Sequence, residues 1–282
     1  MPQQLNNKVV IITGAAGGFG RVLVQAFLAA GAKVLAMDID QRGLASLVNA
    51  LPDVQSALRI EVGDIAHYSA CARAAEAAIE ELGGLHILIN NGAMGLGAIR
   101  DDHMKKPIDI REISPEMWQR FVAVNFSGAW NMTRACIDHM LDQQWGRIIH
   151  VTTSFFTMLR AGFQPYGPCK AGMEAMAASH AKEFTGTGVT VNVVVPGGPA
   201  DTPMVPEGSG FNRKDLISPD VMAPPILYLC SEAARGITGN RYVAAEWNPH
   251  VPPAEMEAHG RAPIAWPDLA QTPVWPGGQP PG

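Results

Sequence analysis

A short apolar run followed directly by a glycine-rich segment constrains the fold of this chain more than any other feature. The run Lys8–Thr13 (KVVIIT) is rich in β-branched residues and predicts a buried strand. It ends in the segment Gly14–Gly20 (GAAGGFG), after which apolar residues recur with the period of a helix. In a strand, turn and helix of this kind, glycines permit the tight turn and let backbone N–H groups approach a phosphate. Taken alone, a glycine-rich loop without a ligand is the alternative.

The same alternation of strand and helix patterns continues along the chain. Apolar runs predict further strands at Lys33–Met37, Leu58–Val62, His86–Asn90, Gly146–Ser154 and Val189–Val195. Helical patterns lie at Leu44–Leu51, Tyr68–Leu82, Ser114–Gln143 (straight or bent) and Tyr166–Phe184. Repeated βα units form a parallel sheet with helices on both faces. We therefore predict an α/β fold with a doubly wound parallel sheet of the Rossmann type, as a single domain over residues 1–247.

Polar residues follow several of the predicted strands. Gly14, Asp38, Asp64 and Asn91 all lie where a predicted strand ends. Ligands of such sheets bind at the carboxyl ends of the strands. Asp and Asn are also common in turns, so each residue alone has turn chemistry as its alternative. Their shared position predicts one ligand site.

Asp38 bears on the identity of that ligand. It lies twenty-four residues beyond Gly14, close to where an acidic side chain accepts hydrogen bonds from the adenosine ribose. A carboxylate there repels a 2′-phosphate, and no Lys or Arg follows at residues 39 and 40. The sequence therefore predicts NAD rather than NADP as the cofactor.

A second candidate feature is the pair Tyr166 and Lys170 at the start of a long helical pattern. Side chains four residues apart lie on one face of a helix. Pro168 falls in the first turn, whose backbone donors have no intrahelical partners. A lysine near a tyrosine stabilises the phenolate and lowers a pKa that starts near ~10, which suits acid or base catalysis near neutral pH. On its own, this spacing also occurs by chance on surface helices.

Composition and charge argue against other classes of protein. Hydrophobic residues make up 47% and charged residues 17% of the chain, and the formal net charge of -5 gives no support for nucleic acid or anionic lipid as a partner. No signal peptide is recognisable, and polar residues interrupt the apolar runs, so neither secretion nor a membrane span is expected. The widely separated cysteines predict a reduced, cytoplasmic protein without a metal site; they are Cys71, Cys136, Cys169 and Cys230.

Several stretches have no clear period. Residues 94–112 are a long loop at the ligand end of the sheet, either functional or a surface excursion. The apolar segment Phe155–Phe163 is either a pocket wall or a subunit contact, and residues 205–217 suit a mobile lid. Residues 248–282 are rich in proline, which excludes long regular structure, yet contain tryptophans that argue against disorder. We predict a C-terminal extension that packs on the domain or on a neighbouring subunit.

These features together resemble the short-chain dehydrogenase/reductase family over about residues 8–243. The family's TGxxxGxG motif is present as Thr13, Gly14, Gly18 and Gly20, with Phe19 in its apolar position. Asp38 resembles the acidic residue by which members of the family select NAD. Asp64 and Ile65 resemble the pair of residues that contacts the adenine. Further cofactor-binding residues implied by the resemblance are Asn91, Tyr166, Lys170, Pro199 and Thr202.

The resemblance also implies the catalytic residues. The family's YxxxK is Tyr166 and Lys170, and its asparagine that helps to hold a proton-relaying water matches Asn125. Thr153 occupies the position of the catalytic serine, with Ser154 as a second candidate hydroxyl. Threonine keeps the hydroxyl but adds a methyl group and restricts χ1. The family's NNAG segment is reordered to NNGA at residues 90–93, which places a Cβ where the family has glycine.

The resemblance implies NAD-dependent oxidation of a secondary alcohol, or the reverse reduction, by a homotetramer without a metal. Met94, Met204 and Phe211, with the apolar segment near Thr153, suggest a hydrophobic or aromatic substrate, or alternatively belong to the core or an interface. A rival interpretation is a cofactor-binding regulatory or structural protein with weak or no activity. Lyase or epimerase chemistry on the same fold is the other enzymatic alternative.

Overall fold

One eight-stranded sheet forms the centre of the computed structural model, which describes residues 5–269. Its strands are β1 (Val9–Thr13), β2 (Lys33–Asp38), β3 (Leu58–Val62), β4 (Ile87–Asn90), β5 (Gly146–Val151), β6 (Val189–Val195), β7 (Asn240–Val243) and β8 (Ala262–Pro263). They are ordered β3-β2-β1-β4-β5-β6-β7-β8. The first seven strands are parallel, and only β8 runs antiparallel to its neighbour. The predicted doubly wound parallel sheet is confirmed.

Helices cover both faces of this sheet. They are α1 (Gly18–Ala29), α2 (Gln41–Asn49), α3 (Tyr68–Leu82), α4 (Pro115–Val122), α5 (Gly128–Asp142), α6 (Phe155–Leu159), α7 (Tyr166–Glu183), α8 (Ala223–Cys230) and α9 (Pro253–Gly260). Alternate residues of β1 point to opposite faces, as a strand requires. Val10 packs in the same cluster as Phe27 of α1, whereas Ile11 packs with Met132 of α5 on the other side. The near-continuous apolar runs therefore reflect burial on both faces.

The direction of winding reverses beside β1. Strand β1 pairs with β2 on one side and with β4 on the other, so the segments that follow β1 and β4 separate to opposite faces of the sheet. In open α/β sheets, a crevice for ligands forms at this reversal, at the carboxyl ends of the strands. Thr13 and Asn90 are the last residues of these two strands and thus mark the position of the crevice.

The long helical pattern of residues 114–143 contains a π-helical turn at Ala123–Ser127, between α4 and α5. Ser114 caps the start of α4, where its side chain accepts a hydrogen bond from the Met117 amide, and Pro115 occupies the first turn. One extra residue in the turn lets the helix depart from its regular period, and such turns are frequent at functional sites. Asn125 lies in the middle of it.

Two stretches depart from the sequence prediction. Strand β5 ends at Val151, so residues 152–154 lie beyond the strand rather than within it, and the following apolar segment forms the short helix α6. Residues 94–112 are not a loose excursion. Leu96 and Ile108 are buried there in a small cluster with Phe121 of α4, which fixes this loop over the end of the sheet.

The described part of the C-terminal segment, up to residue 269, is more regular than its proline content predicts, because Pro252 and Pro253 stand at the start of a helix and Pro263 lies in the edge strand. It contains α9 and then β8, and the next residue, Ile264, is buried in the main core. Trp247 is buried against Tyr228 and Tyr242. Trp275 lies outside the described residues. None of the helices within residues 5–269 is long and apolar enough to cross a membrane.

Candidate active site

A cavity of about 1090 Å³ opens at the carboxyl ends of the strands. It exceeds the usual volume of a small-ligand pocket, so it has room for a dinucleotide together with a second molecule. Its walls include the sequence-predicted residues at the ends of β1, β2, β3, β4 and β5 and at the start of α7. The predicted site residues that line the cavity are Gly14, Gly18, Phe19, Asp38, Asp64, Ile65, Asn91, Thr153, Ser154, Tyr166, Lys170, Pro199 and Thr202.

The glycine-rich turn leaves no room for side chains at three of its positions. Gly14 has a φ of +65°, and a Cβ on it would lie 2.7 Å from the Cα of Gly92. A Cβ on Gly20 would lie 2.0 Å from the carbonyl oxygen of Gly14, and one on Gly18 would lie 2.5 Å from Cγ2 of Thr202. The turn is therefore tight, and its backbone faces the cavity at the start of α1. Both properties fit a pyrophosphate.

Thr13 and Asn91 hold this turn against β4. The Asn91 amide Nδ2 donates to the carbonyl oxygens of Thr13 at 2.9 Å and Gly14 at 3.2 Å. In return, Thr13 Oγ1 accepts from the backbone amides of Asn91 at 3.1 Å and Gly92 at 2.9 Å. In the reordered NNGA segment, Gly92 makes the close approach to the turn, while the Cβ of Ala93 is accommodated at the cavity wall.

Asp38 lies at the end of β2 beside the same turn. Its carboxylate accepts hydrogen bonds from the backbone amides of Ala16 and Asp40, each at 2.9 Å. The next side chain, Ile39, is 61% exposed and also lines the cavity. A fixed carboxylate with an apolar neighbour is a hydrogen-bond acceptor for hydroxyl groups and an unfavourable site for a phosphate.

Asp64 and Ile65 form the wall beyond β3. Burial acts to raise the pKa of Asp64, but the Ala66 amide at 2.9 Å and an ion pair with Arg120 at 2.7 Å outweigh it and lower that pKa. Ile65 is buried, and its carbonyl oxygen accepts from the Asn131 amide at 2.9 Å. The sequence pattern does not point to Arg120, because only the tertiary fold brings α4 close to the end of β3.

Tyr166 and Lys170 lie in the first two turns of α7, and both line the cavity. Burial raises the pKa of Tyr166 to about 12, and only its hydrogen bond with Thr153 acts in the lowering direction. Lys170 is 2% exposed, and its ammonium donates to the Val151 carbonyl at 2.8 Å and lies 6.0 Å from the centre of the Tyr166 ring. Burial lowers the pKa of Lys170 to about 8. The structure thus differs from the sequence expectation that Lys170 lowers the tyrosine pKa: desolvation dominates both groups.

The two candidate hydroxyls after β5 have different partners. Thr153 is hydrogen-bonded to the Tyr166 hydroxyl. Ser154 caps α6 instead, where its Oγ accepts from the Thr157 amide at 3.1 Å and lies 2.9 Å from Thr157 Oγ1. Of the two, Thr153 is therefore the side chain placed beside the tyrosine.

Asn125 is buried in the π-helical turn and bonded to the loop that begins after β4. Its Oδ1 accepts from the Met94 amide at 2.7 Å, and its Nδ2 donates to the Met94 carbonyl at 3.0 Å. Both side-chain groups thus fix Met94, which lines the cavity. The sequence singled out both residues without showing that they touch.

The end of the cavity beside Tyr166 has a largely apolar lining. Its apolar side chains are Met94, Leu96, Met104, Phe156, Phe163, Met204, Val205 and Phe211. They come from the loop 94–112, from the apolar segment Phe155–Phe163 and from residues 204–211. Within residues 5–269, no group of His, Cys, Asp and Glu side chains is arranged to hold a metal ion.

Comparison with known proteins agrees with this geometry. A model of the short chain dehydrogenase family matches residues 8–210. The 3-oxoacyl-[acyl-carrier-protein] reductase FabG of Thermotoga maritima is 29% identical over 245 residues, covering 84% of this chain and 95% of that protein. The 2,5-dichloro-2,5-cyclohexadiene-1,4-diol dehydrogenase LinX of Sphingobium indicum is 31% identical over 251 residues, covering 85% of this chain and 95% of that protein.

A solved structure is similar over nearly its whole length. The crystal structure of 3-ketoacyl-(acyl-carrier-protein) reductase from Brucella melitensis complexed with NADH superimposes with a TM-score of 0.72 at 27% identity, covering 84% of this chain and 96% of that chain. The family match spans the glycine-rich turn, the strand ends and the Tyr166 helix that together enclose the cavity. This chain therefore belongs to the short-chain dehydrogenase/reductase family of oxidoreductases, which use nicotinamide cofactors.

Proposed function

We propose that this protein transfers a hydride between NAD(H) and a secondary alcohol or ketone with a hydrophobic or aromatic body. The observation that carries the proposal is the hydrogen-bonded pair Tyr166 and Thr153, which lines the same cavity as the glycine-rich turn and Asp38. A proton-transfer group and a dinucleotide cradle in one cavity are what alcohol oxidation requires.

The residues present fit the cofactor. A Cβ at Gly14, Gly18 or Gly20 would collide with neighbouring atoms. Because these positions have no side chain, a pyrophosphate can lie close to the main chain of the turn. Asp38 is the acceptor for the adenosine ribose hydroxyls, and Asp64 and Ile65 form the wall for the adenine. Asn91, Pro199 and Thr202 line the path towards the nicotinamide end, with Phe19 beside the turn. When bound, the nicotinamide accepts or supplies the hydride at the reacting carbon.

Tyr166 is the group that moves the proton in this proposal. Its hydroxyl donates a proton to the substrate oxygen during reduction, and its phenolate takes up the alcohol proton during oxidation. Thr153 orients and polarises the substrate oxygen. The Lys170 ammonium donates to the Val151 carbonyl and, at 3.7 Å, to Met173 Sδ, and it offers its third N–H group to the nicotinamide ribose. Asn125, through its hold on Met94, supports a proton path to solvent.

The nature of the substrate is inferred from the lining and from a relative. The side chains around Tyr166 are mainly Met and Phe, which suit an apolar or aromatic body. The similar protein of Sphingobium indicum is named for a cyclic diol, and both hydroxyl groups of that compound are secondary alcohols. A cytoplasmic homotetramer remains a prediction from the family resemblance.

Replacing Asp38 with asparagine and Ile39 with arginine should shift the preference from NAD towards NADP. The change removes a carboxylate that repels a 2′-phosphate and adds a cation at an exposed position next to it. Asparagine keeps one acceptor for the Ala16 or Asp40 amide. We expect kcat/KM with NAD relative to NADP to fall at least about 10²-fold, about tenfold (1.4 kcal/mol) for each change. Ile39→Arg alone, which keeps the carboxylate, is the matched control and should shift the ratio far less; an unchanged ratio in the double variant contradicts the assignment.

Thr153→Val should lower kcat by about 10²-fold, because a hydroxyl that stabilises charge on the substrate oxygen is lost while the shape of the side chain is kept. Thr153→Ser should keep kcat within a few-fold of wild type. Ser154→Ala removes the cap of α6 and should affect stability more than kcat. The measurement is steady-state kinetics with all three variants. Loss of turnover in Ser154→Ala but not in Thr153→Val would reverse the assignment.

The function itself is tested by absorbance at 340 nm with NAD, NADP and a panel of secondary alcohols and ketones. Steady NADH formation or consumption supports the proposal. Tight NADH binding without turnover across a broad panel would favour a cofactor-binding regulatory or structural protein instead. Product without net change in NADH would indicate lyase or epimerase chemistry.

A further inference from the structure

One stripe of α7 binds three successive residues at the end of β5. Tyr166, Lys170 and Glu174 stand four residues apart, so their side chains follow one face of the helix. Each has its own partner within residues 151–153. Lys170 binds the Val151 carbonyl, and Glu174 binds the Thr152 hydroxyl. Tyr166 binds the side chain of Thr153. The YxxxK spacing in the sequence indicates Tyr166 and Lys170, but it does not indicate Glu174.

Glu174 is fully buried, and polar groups from separate parts of the chain surround its carboxylate. Thr152 Oγ1 donates to Oε2 at 2.7 Å, and Nε of Arg241, on β7, lies 2.9 Å from Oε1. The backbone amide of Ala265, just after β8, donates to Oε1 at 3.5 Å. Both carboxylate oxygens therefore have partners, and the pair Glu174 and Arg241 links α7 to the sheet edge and to the C-terminal segment.

Arg241 connects this buried pair to the backbone of the candidate catalytic residue. One terminal nitrogen of its guanidinium donates to the carbonyl oxygen of Thr153 at 2.9 Å. The guanidinium also lies 4.2 Å from the centre of the Phe155 ring, and that ring meets Trp266 edge to face at 6.2 Å. Glu174 thus holds Thr152, the residue before Thr153, and Arg241 holds the Thr153 carbonyl. Phe155, two residues after Thr153, is held by Arg241 and by Trp266 of the C-terminal segment.

We propose that Glu174 and Arg241 are positioning residues that fix the Thr153 hydroxyl against Tyr166, and that the C-terminal segment around Trp266 completes this support. The inference rests on the proposed function, in which Thr153 orients the substrate oxygen. It assigns the segment after β7 a role in catalysis within its own chain, in addition to any contact with another subunit.

The chemistry of the pair favours positioning over simple stabilisation. Replacing a buried ion pair with apolar side chains of similar volume is often neutral or stabilising, so stability alone does not require charges here. A guanidinium, however, presents a planar set of donors that can bind a carboxylate and a carbonyl together while stacking on a ring. Lysine cannot meet all three partners, so Arg241→Lys keeps the charge and removes the geometry.

The test compares Arg241→Lys and the double variant Glu174→Leu/Arg241→Met with wild type. In both we expect kcat to fall about 10- to 100-fold, because small misplacement of a catalytic group is costly. The dissociation constant for NADH should stay within a few-fold, since neither residue lines the cavity. The double variant should melt close to the wild-type temperature. A double variant that folds and keeps wild-type kcat and KM would overturn the proposal.

Arg261→Met is the matched control. It breaks another ion pair of the C-terminal segment, with Glu257 at 2.7 Å, at a site that contacts neither Thr153 nor the cavity. It should lower the melting temperature and leave kcat unchanged. Trp266→Ala should lower kcat without changing NADH affinity. An unchanged kcat in this variant would show that the C-terminal segment does not help to position Thr153.

A readout without substrate separates this inference from the proposed function. With NADH bound, hydrogen exchange of the backbone amides of residues 152–158 should be faster in Arg241→Lys than in wild type and unchanged in Arg261→Met. Unchanged protection in Arg241→Lys contradicts the positioning role, whether or not a substrate is found. Absence of turnover in wild type, with the exchange difference present, would refute the proposed function and leave the network as a structural support of this segment.

Discussion

Tyr166→Phe is expected to lower kcat by about 10³-fold while NADH binding stays within a few-fold of wild type. The substitution deletes only the hydroxyl that donates or accepts the proton, and general acid–base groups contribute about 10² to 10⁴ in rate. The ring keeps its packing beside Phe163 and Cys169, so the cavity wall is unchanged. Turnover at 340 nm and titration of NADH fluorescence measure the two quantities separately.

Tyr68→Phe, on the exposed face of α3, is the control and should leave both quantities unchanged. The pH dependence gives a second check on the same group. Because burial raises the pKa of Tyr166 to about 12, the phenolate form is scarce at neutral pH. Oxidation in wild type should therefore accelerate as pH rises, whereas reduction, which uses the protonated hydroxyl, should not. Undiminished turnover in Tyr166→Phe excludes this assignment.

Gly20→Ala is expected to destabilise the protein by about 3 kcal/mol and to abolish measurable NADH binding. A Cβ at this position would lie 2.0 Å from the Gly14 carbonyl oxygen and 2.6 Å from the Cα of Ala15, both of them backbone atoms that cannot rotate away. Overpacking against backbone forces the turn and α1 apart. Chemical denaturation measures the loss of stability, and a fall in Tm on the order of 10 °C should accompany it.

Gly17→Ala provides the comparison within the same turn. A Cβ on Gly17 would meet only the Gly14 carbonyl oxygen, at 3.4 Å, which is ordinary contact. Its φ is -82°, which any residue adopts. Gly17→Ala should therefore retain wild-type stability. Equal losses in the two variants would show that the turn is sensitive to any added atom and not to the close approach at Gly20.

The sheet and the cofactor end of the site follow from local signals in the sequence. Buried parallel strands are short apolar runs, and β1 and β6 stand out for this reason. The glycine-rich turn requires glycine at fixed places because backbone approaches backbone there. Asp38 sits at a predicted strand end. Each of these features depends on neighbours within the same strand or turn, which the sequence displays directly.

The partners of Thr153 depend on contacts between distant parts of the chain. Arg241 is an unremarkable basic residue in the sequence, and its bond to the Thr153 carbonyl exists only because β5, β6 and β7 are adjacent in the sheet. The spacing of Glu174 from Lys170 was visible, but glutamate on a helix is normally exposed. The high pKa of Tyr166 was also hidden, because desolvation depends on the packing around the ring.

The short strand β8 also changes what the edge of the sheet can do. An edge strand normally offers a row of unpaired N–H and C=O groups to any other extended chain. Here Ala262 and Pro263 pair with Arg241 and Asn240, so the outer side of β7 is occupied by residues of its own chain. Pro263 has no N–H with which to extend the ladder to a ninth strand. The last strand thus closes this side of the sheet to growth, which protects the protein from edge-to-edge aggregation where β7 would otherwise be open.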